Sequence, residues 1–298
     1  MARKRKGNPV HGWLVVDKPA GVTSAAVVNK ARWALRAQKA GHSGTLDPDA
    51  TGCLVIAFGE ATKVIPIAQE GLKTYRFLVR WGQSTTTDDA AGEVIEDRAT
   101  RPSAKAIEQA LPGFLGEIQQ VPPKVSAVKV AGERAYDLAR KSEAFDLEAR
   151  PLWVEELSLR SIPDQDHAEF ELICGKGGYV RAIARDLGEA LGCLGHVRWL
   201  HRLSTGPFDL SSAVSFADLD GFREFENAPT LLPLHHGLSA LPRIDVTERQ
   251  AEDLRHGREI QTSSEADGPA WTAAGNQVIA IGRTTGGIFH PDRVILPY

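Results

Sequence analysis

Apolar positions along the chain fall into short runs whose spacing predicts an interleaving of strands and helices. "GWLVVDKPAGVTS" opens with a strand over Trp13–Val16 and turns at Pro19–Gly21. Ser24 is placed to cap the helix that follows, "AAVVNKARWALRA". "GHSGTLDPDATG" (Gly41–Gly52) is loop chemistry, because glycine frees the backbone and Asp-Pro starts a turn. "CLVIAFG" follows without a polar residue and reads as a buried strand. "KTYRFLVRWG" reads as another strand, and "STTTDDAAGEVIE" as a turn into a paired strand. Pro102–Phe114 reads as a short helix ending at Pro112–Gly113.

Further on, "PPKVSAVKVAGERAYDLARK" moves from an extended, proline-led segment into a helix. "LWVEELSLRSI" and "AEFELICGKGGYV" alternate as strands do. "RAIARDLGEALG" is an amphipathic helix with Ile183, Leu187 and Leu191 on one face. "GHVRWLHRLSTGPF" leads into "SSAVSFADL", a capped segment. From about Leu241 the texture changes to a short strand and helix, then small strands with glycine-rich turns. The interleaving has no regular βαβ rhythm, so the fold class is α+β. The expected division is one domain over residues 1–238, with an insert around 101–150 that the resemblance given below implies, and a small β-rich module over residues 239–298.

Composition adds exclusions. The basic start "MARKRKG" has no apolar stretch behind it, so it is no signal peptide, and no run approaches the length of a membrane span. Cys53, Cys174 and Cys193 are odd in number and widely separated, which fits neither a disulfide framework nor a metal motif. The expectation is a cytoplasmic protein with no metal and no cofactor. The net charge of −3 conceals an asymmetry: residues 1–80 hold 13 Lys/Arg against 5 Asp/Glu, +8, which leaves −11 for the rest. A basic front on an acidic whole suggests a polyanion-binding face. On the residues alone, Asp47 either closes a turn or is a carboxylate that the turn exists to aim.

Five stretches, in order, resolve that choice. "VDKPAGVTS", "GHSGTLDPDATGCLVIAFGEATK", "KTYRFLVRWGQSTTTDDAAG", "PPKVSAVKVAGERAYDLAR" and "GGYVRAIARDLGEALGCLGHVRWLHRL" resemble the motifs of bacterial TruB-type tRNA pseudouridine-55 synthases. The match spans about residues 11–205, and the tail is weakly similar to the small PUA-type RNA-binding module. The resemblance implies the pseudouridine synthase fold, a mixed and largely antiparallel sheet flanked by helices. It implies that the uridine at position 55 in the tRNA T loop is isomerised, with the base flipped out and no cofactor needed. A second role in tRNA folding fits the same family.

Residue by residue, Asp47 matches the essential aspartate and Arg181 its cationic partner. Tyr75 matches the base-stacking tyrosine, Tyr179 and Leu200 the pocket lining, and His42 a residue that fills the gap left by the flipped base. Lys18, Pro19, Lys63 and Asp89 match supporting positions: Lys18–Pro19 beside the active loop, Lys63 toward phosphate or Asp47, Asp89 as an anchor. Two departures stand out. Gly178 replaces a larger residue and is expected to loosen its loop. Residues 209–270 carry 12 Asp/Glu against 5 Arg, −7, unlike an RNA-gripping module.

The implied partner is tRNA through its T-stem and loop, bound by a monomer without guide RNA and without a membrane. The alternatives are a non-catalytic RNA-binding protein, a guide-dependent relative, and a glycosidase, which would need two framing carboxylates.

Replacing Arg3, Lys4, Arg5 and Lys6 with neutral residues is expected to flatten the salt dependence of tRNA binding. Each lost phosphate contact removes about 0.7–0.9 from the slope of log K against log salt. An unchanged slope in filter binding would show that the tail does not touch RNA.

Overall fold

The unbroken apolar runs near the N-terminus are strands with both faces covered. In the computed structural model, Gly12–Lys18 pairs antiparallel with Thr51–Phe58. Leu14, Val16, Leu54, Ile56 and Phe58 face Val27 and Ala31 of the helix Ser24–Ala34. Trp13, Val15, Cys53 and Val55 face the other way, onto Trp271, Ala273 and Ile281 of a second sheet. Cys53 through Phe58 are each 0% exposed, so polar alternation has no place there. Lys73–Trp81 does alternate: Tyr75, Phe77, Val79 and Trp81 are buried and Arg76 is exposed. Its inner face packs against Val180, Ile183, Ala184 and Leu187 of the helix Val180–Ala190.

The structure describes residues 7–126, 128–130, 133–135, 145–224, 229–263 and 266–297. The main sheet runs in the order Val214–Ser215, Gly12–Lys18, Thr51–Phe58, Gly195–Thr205, Lys73–Trp81, His167–Cys174, Arg150–Asp164, Gly116–Gln120. Thr51–Phe58 meets Gly195–Thr205 in parallel over two residues, His201↔Thr51 and Arg202↔Gly52. The pairs from Gly195–Thr205 onward are antiparallel. A five-stranded sheet spans Arg243–Asp245, Gly268–Ala274, Gln277–Thr285, Ile288–Val294 and Ile260–Gln261. Beside it lies the helix Glu248–Arg255, started by a Thr247–Gln250 capping box.

One expectation changes. Thr23, not Ser24, caps the first helix, its side chain accepting from Ala26 N at 3.1 Å. Ser24 lies inside the first turn, where its hydroxyl is taken up elsewhere. "GHVRWLHRLST" is a single strand, Gly195–Thr205, hidden from sequence inspection by irregular register at Val197/Trp199 and Arg202/Ser204. The helix expected after "VAGER" and the basic tail before Gly7 lie outside the described residues. No helix among the described residues is long and apolar enough to cross a membrane.

The helix Val180–Ala190 sits tight on the neighbouring chain because residue 188 lacks a side chain. A Cβ on Gly188 would fall 2.3 Å from the Gly195 nitrogen and the Leu194 carbonyl carbon. Gly188→Ala is therefore expected to destabilise the fold by about 1–3 kcal/mol, since backbone must move. Thermal unfolding measures this, and an unchanged midpoint would refute the close packing.

Candidate active site

An irregular loop beside a core strand must find partners for its backbone, and here side chains supply several of them. The loop that carries Asp47 leaves the strand Ala40–Ser43 and enters Thr51–Phe58. Gly44 and Gly52, at its two ends, hold φ values of +93° and +96°. Ser24 Oγ donates to the Leu46 carbonyl and accepts from the Leu46 amide, both at 2.9 Å. Lys18 Nζ donates to the carbonyls of Pro19, Val22 and Pro48 at 2.8, 2.6 and 2.7 Å. It thereby ties the Pro19–Val22 turn to the Asp47 loop. Burial pulls the Lys18 pKa down to about 8, against the raising influence of Asp49 and Asp47. Lys18 and the Pro19 carbonyl are thus part of the contacts that hold the loop.

Arg181 meets Asp47 from the opposite side. It sits in the first turn of the helix Val180–Ala190, 5% exposed, with Nε 2.9 Å from Asp47 Oδ2. Nη1 donates to the carbonyls of Thr87 and Val125, each at 3.0 Å. Asp89 Oδ2 is 3.6 Å from the same Nε. Asp89 is itself fixed: its Oδ1 accepts from Thr87 Oγ1 at 2.5 Å and from the Ala91 amide at 3.1 Å. Arg185 adds a neighbouring clamp, with Nη1 3.0 Å from Asp88 Oδ2. Asp47 faces a cavity and keeps 43% of its side-chain surface in contact with water. Dense protein on its other sides still pushes its pKa above the usual carboxylate range; Arg181 opposes that push and Asp89 adds to it.

The cavity, of about 300 Å³, is lined by Asp47, Tyr75, Tyr179, Arg181 and Leu200 together with Lys73 and Arg202. A wider groove of about 500 Å³ continues from Asp47, Arg181 and Leu200 toward Asp89 and Trp199. Tyr75 points inward from the alternating strand, and burial raises its phenol pKa, so it stays protonated at neutral pH. Tyr179 caps the Arg181 helix; its amide donates to Gln120 Oε1 at 2.9 Å and its carbonyl accepts from Gln120 Nε2 at 3.2 Å. The backbone of the pocket tyrosine is thus fastened to a buried amide. Among the described residues no cluster of His, Cys, Asp and Glu could hold a metal, and the three cysteines are free and buried.

Two expected members lie apart from the cavity. Lys63 pairs with Glu60 Oε2 at 2.6 Å and donates to the Val294 carbonyl at 2.8 Å. It joins the second sheet to the first and supports neither Asp47 nor the cavity, because its charge is already satisfied. His42 is a strand residue opposite Ile56, not a loop residue. Its Nδ1 is buried without a hydrogen-bond partner, and burial together with Arg202 lowers its pKa, which keeps the ring neutral. Gly178 does not loosen its loop. A Cβ there would fall 2.7 Å from Cys174 Sγ, so the sulfur takes the room a larger residue would need.

Sequence reasoning missed Arg202 and Lys73. Arg202 stands two residues from Leu200 on one strand, so assigning the strand would have put both side chains on one face. Lys73 opens "KTYRF" at an inward position; its Nζ donates to the carbonyls of Gln69 and Gly71, and burial brings its pKa to about 8.

Comparison with known proteins gives one answer. Residues 32–180 match the model of the TruB family pseudouridylate synthase N-terminal domain. Residues 181–238 match the tRNA pseudouridylate synthase B C-terminal domain. The tRNA pseudouridine synthase B of Cereibacter sphaeroides is 57% identical over 298 residues, 99% of each chain. The protein of that name from Ruegeria sp. strain TM1040 is 53% identical, again over 99% of each. In solved structures, the chain is similar to one in "Structure of H/ACA RNP bound to a substrate RNA containing 2'-deoxyuridine". That match has a TM-score of 0.75 at 21% identity, over 100% of this chain and 92% of the other. A chain of the "Crystal structure of the archaeal box H/ACA sRNP Nop10-Cbf5 complex" gives 0.74 at 20%, over 100% and 93%. At such identity the two structures speak to the fold, which is that of pseudouridine synthases.

Arg181→Gln removes the main cation that favours ionised Asp47 and leaves only the weaker pull of Lys18 against burial and Asp89. The Asp47 pKa is expected to rise further, by about 1–3 pH units. A ¹³C NMR titration of the Asp47 carboxyl carbon measures it, and an unmoved midpoint would show that the pair is not coupled.

Proposed function

The chain belongs to the TruB family of pseudouridylate synthases, and from that premise we propose that it isomerises the uridine at position 55 in the T loop of tRNA. The observation that carries this reading is the Asp47–Arg181 pair at the edge of a nucleotide-sized cavity lined by Tyr75, Tyr179 and Leu200. The isomerisation breaks the bond between C1′ and N1 and forms one between C1′ and C5. C5 loses a proton and N1 gains one, so atoms balance with no change of oxidation state.

Asp47 is the reacting carboxylate: a nucleophile at sugar or base, or the base that receives the proton. Arg181 keeps it ionised and aimed, because a guanidinium fork is always charged and fixed in plane. The Tyr75 ring stacks on the flipped uracil, and its hydroxyl, a phenol at neutral pH, donates a hydrogen bond. Leu200 and Tyr179 close the sides and limit water. Asp89 does not make the site a two-carboxylate glycosidase, because Thr87, Ala91 and Arg181 already hold it.

The partner is the T-stem and loop of tRNA, bound by a monomer in the cytoplasm without guide RNA. The relatives that support this are named for tRNA and match end to end. Residues 239–298 are read as a PUA-like module that, with 8 Asp/Glu against 6 Arg, leaves RNA gripping to the catalytic part, and a tRNA-folding role is compatible with the same contacts.

Asp47→Asn is expected to fold, to bind tRNA, and to lose about three orders of magnitude or more in single-turnover rate. Pseudouridine mapping of unmodified tRNA incubated with the purified chain reads both site and rate. Conversion at another position would refute position 55, and an active Asn variant would remove Asp47 from the chemistry.

A further inference from the structure

We propose that Arg202 is a positioning residue of this site, whose buried guanidinium locks the Asp47 loop and the Tyr75 ring into one frame. The proposal rests on reading Asp47 as the reacting carboxylate. Arg202 is 1% exposed and lies on Gly195–Thr205, directly opposite Tyr75 on the neighbouring strand. Its Nε donates to the Cys53 carbonyl at 2.8 Å and its Nη2 to the Gly44 carbonyl at 3.1 Å. Those carbonyls bracket the loop, so one planar group holds both ends of the segment that carries Asp47. The backbone adds a second grip: a Cβ on Gly52 would fall 2.3 Å from the Arg202 carbonyl oxygen. The guanidinium also interacts with the Tyr75 hydroxyl and lines the same cavity as Asp47 and Leu200.

A buried cation is costly unless matched, and a well-packed apolar residue usually serves a strand better. Among the described residues Arg202 has no carboxylate within ion-pair distance; its partners are neutral, the two carbonyls and the Tyr75 hydroxyl. Stability alone therefore gives little reason for arginine here. An apolar side chain cannot bond two carbonyls, and a lysine cannot reach both in a fixed plane. What the fork supplies is a fixed distance between the loop carrying the carboxylate and the ring that holds the base. Small misplacement between such groups is expensive in rate and nearly silent in affinity, which is spread over many phosphates.

The test measures single-turnover conversion at saturating enzyme, and tRNA affinity by filter binding, for wild type, Asp47→Asn, Tyr75→Phe, Arg202→Lys and the Tyr75→Phe/Arg202→Lys double variant. Arg202→Lys is expected to lose about 100-fold in saturating rate, with affinity nearly unchanged. The double variant is expected to lose less than the product of the single losses, because Arg202 acts partly through Tyr75. An Arg202→Lys rate close to wild type beside an inactive Asp47→Asn overturns the proposal and leaves the Asp47 reading standing. So does a loss confined to affinity. An active Asp47→Asn overturns the reading itself. Where Arg202→Lys fails to fold, Tyr75→Phe still decides: the Arg202 Nε–H NMR resonance is expected to move relative to wild type, and an unmoved resonance overturns the proposal.

Discussion

A half-buried carboxylate held against a buried guanidinium is the constraint on which the rest of this structure depends. Burial pushes the Asp47 pKa up, and Arg181 is the main group that opposes it, with Lys18 adding to that opposition. Arg181 is nearly as buried as any core residue, so it too needs partners, and the carbonyls of Thr87 and Val125 and the carboxylate of Asp89 supply them. Each partner then has to be fixed. Asp89 is held by Thr87 and Ala91, and the preceding Asp88 by Arg185 one helical turn beyond Arg181. The ion pair is the centre of a shell of contacts that reaches both the helix and two loops.

The same economy explains where the basic residues went. Lys18, Lys73 and Arg202 are buried, and all three bond backbone carbonyls near the cavity. Lys30 and Lys63 are paired with Asp220 and Glu60. The basic excess of the first eighty residues is therefore partly architectural, and less of it faces a polyanion than the count suggests. Irregular loop backbone has no strand or helix partners, and long cations reach several carbonyls at once where a neutral side chain reaches one or two.

The sequence was legible where one residue type has one structural use. The apolar run Cys53–Phe58, the alternating Lys73–Trp81 and the amphipathic Val180–Ala190 were all readable from period alone. Asp47, Tyr75, Tyr179, Arg181 and Leu200 were found through motif order, and the structure gathers them around one cavity. What escaped depends on tertiary detail. Ser24 looks like a cap until Leu46 arrives to take its hydroxyl. Arg202 is invisible because two register irregularities break the period of its strand. Lys63 carries a family pattern, yet its partner Val294 lies 231 residues away, a distance no local reading can cross.

That last contact shows how the second sheet serves the first. Trp271, Ala273 and Ile281 share a core with Cys53, Val55 and Ala57, the strand that the Asp47 loop enters. Without that cover, one face of the strand would be apolar and wet, at a cost of about 25 cal/mol for each Å² exposed. Glu60 extends the seam: it accepts from Lys63 and from the Leu296 amide, so one carboxylate ties the turn after Thr51–Phe58 to the segment after Ile288–Val294. The strand is thus clamped from behind by the C-terminal sheet and from the side by Arg202, and the loop at its start inherits that rigidity. The lack of any basic excess in residues 239–298, 8 Asp/Glu against 6 Arg, is consistent with such a role. A module that works by holding the back of the catalytic sheet needs apolar contact there, and positive charge outside would add nothing to it.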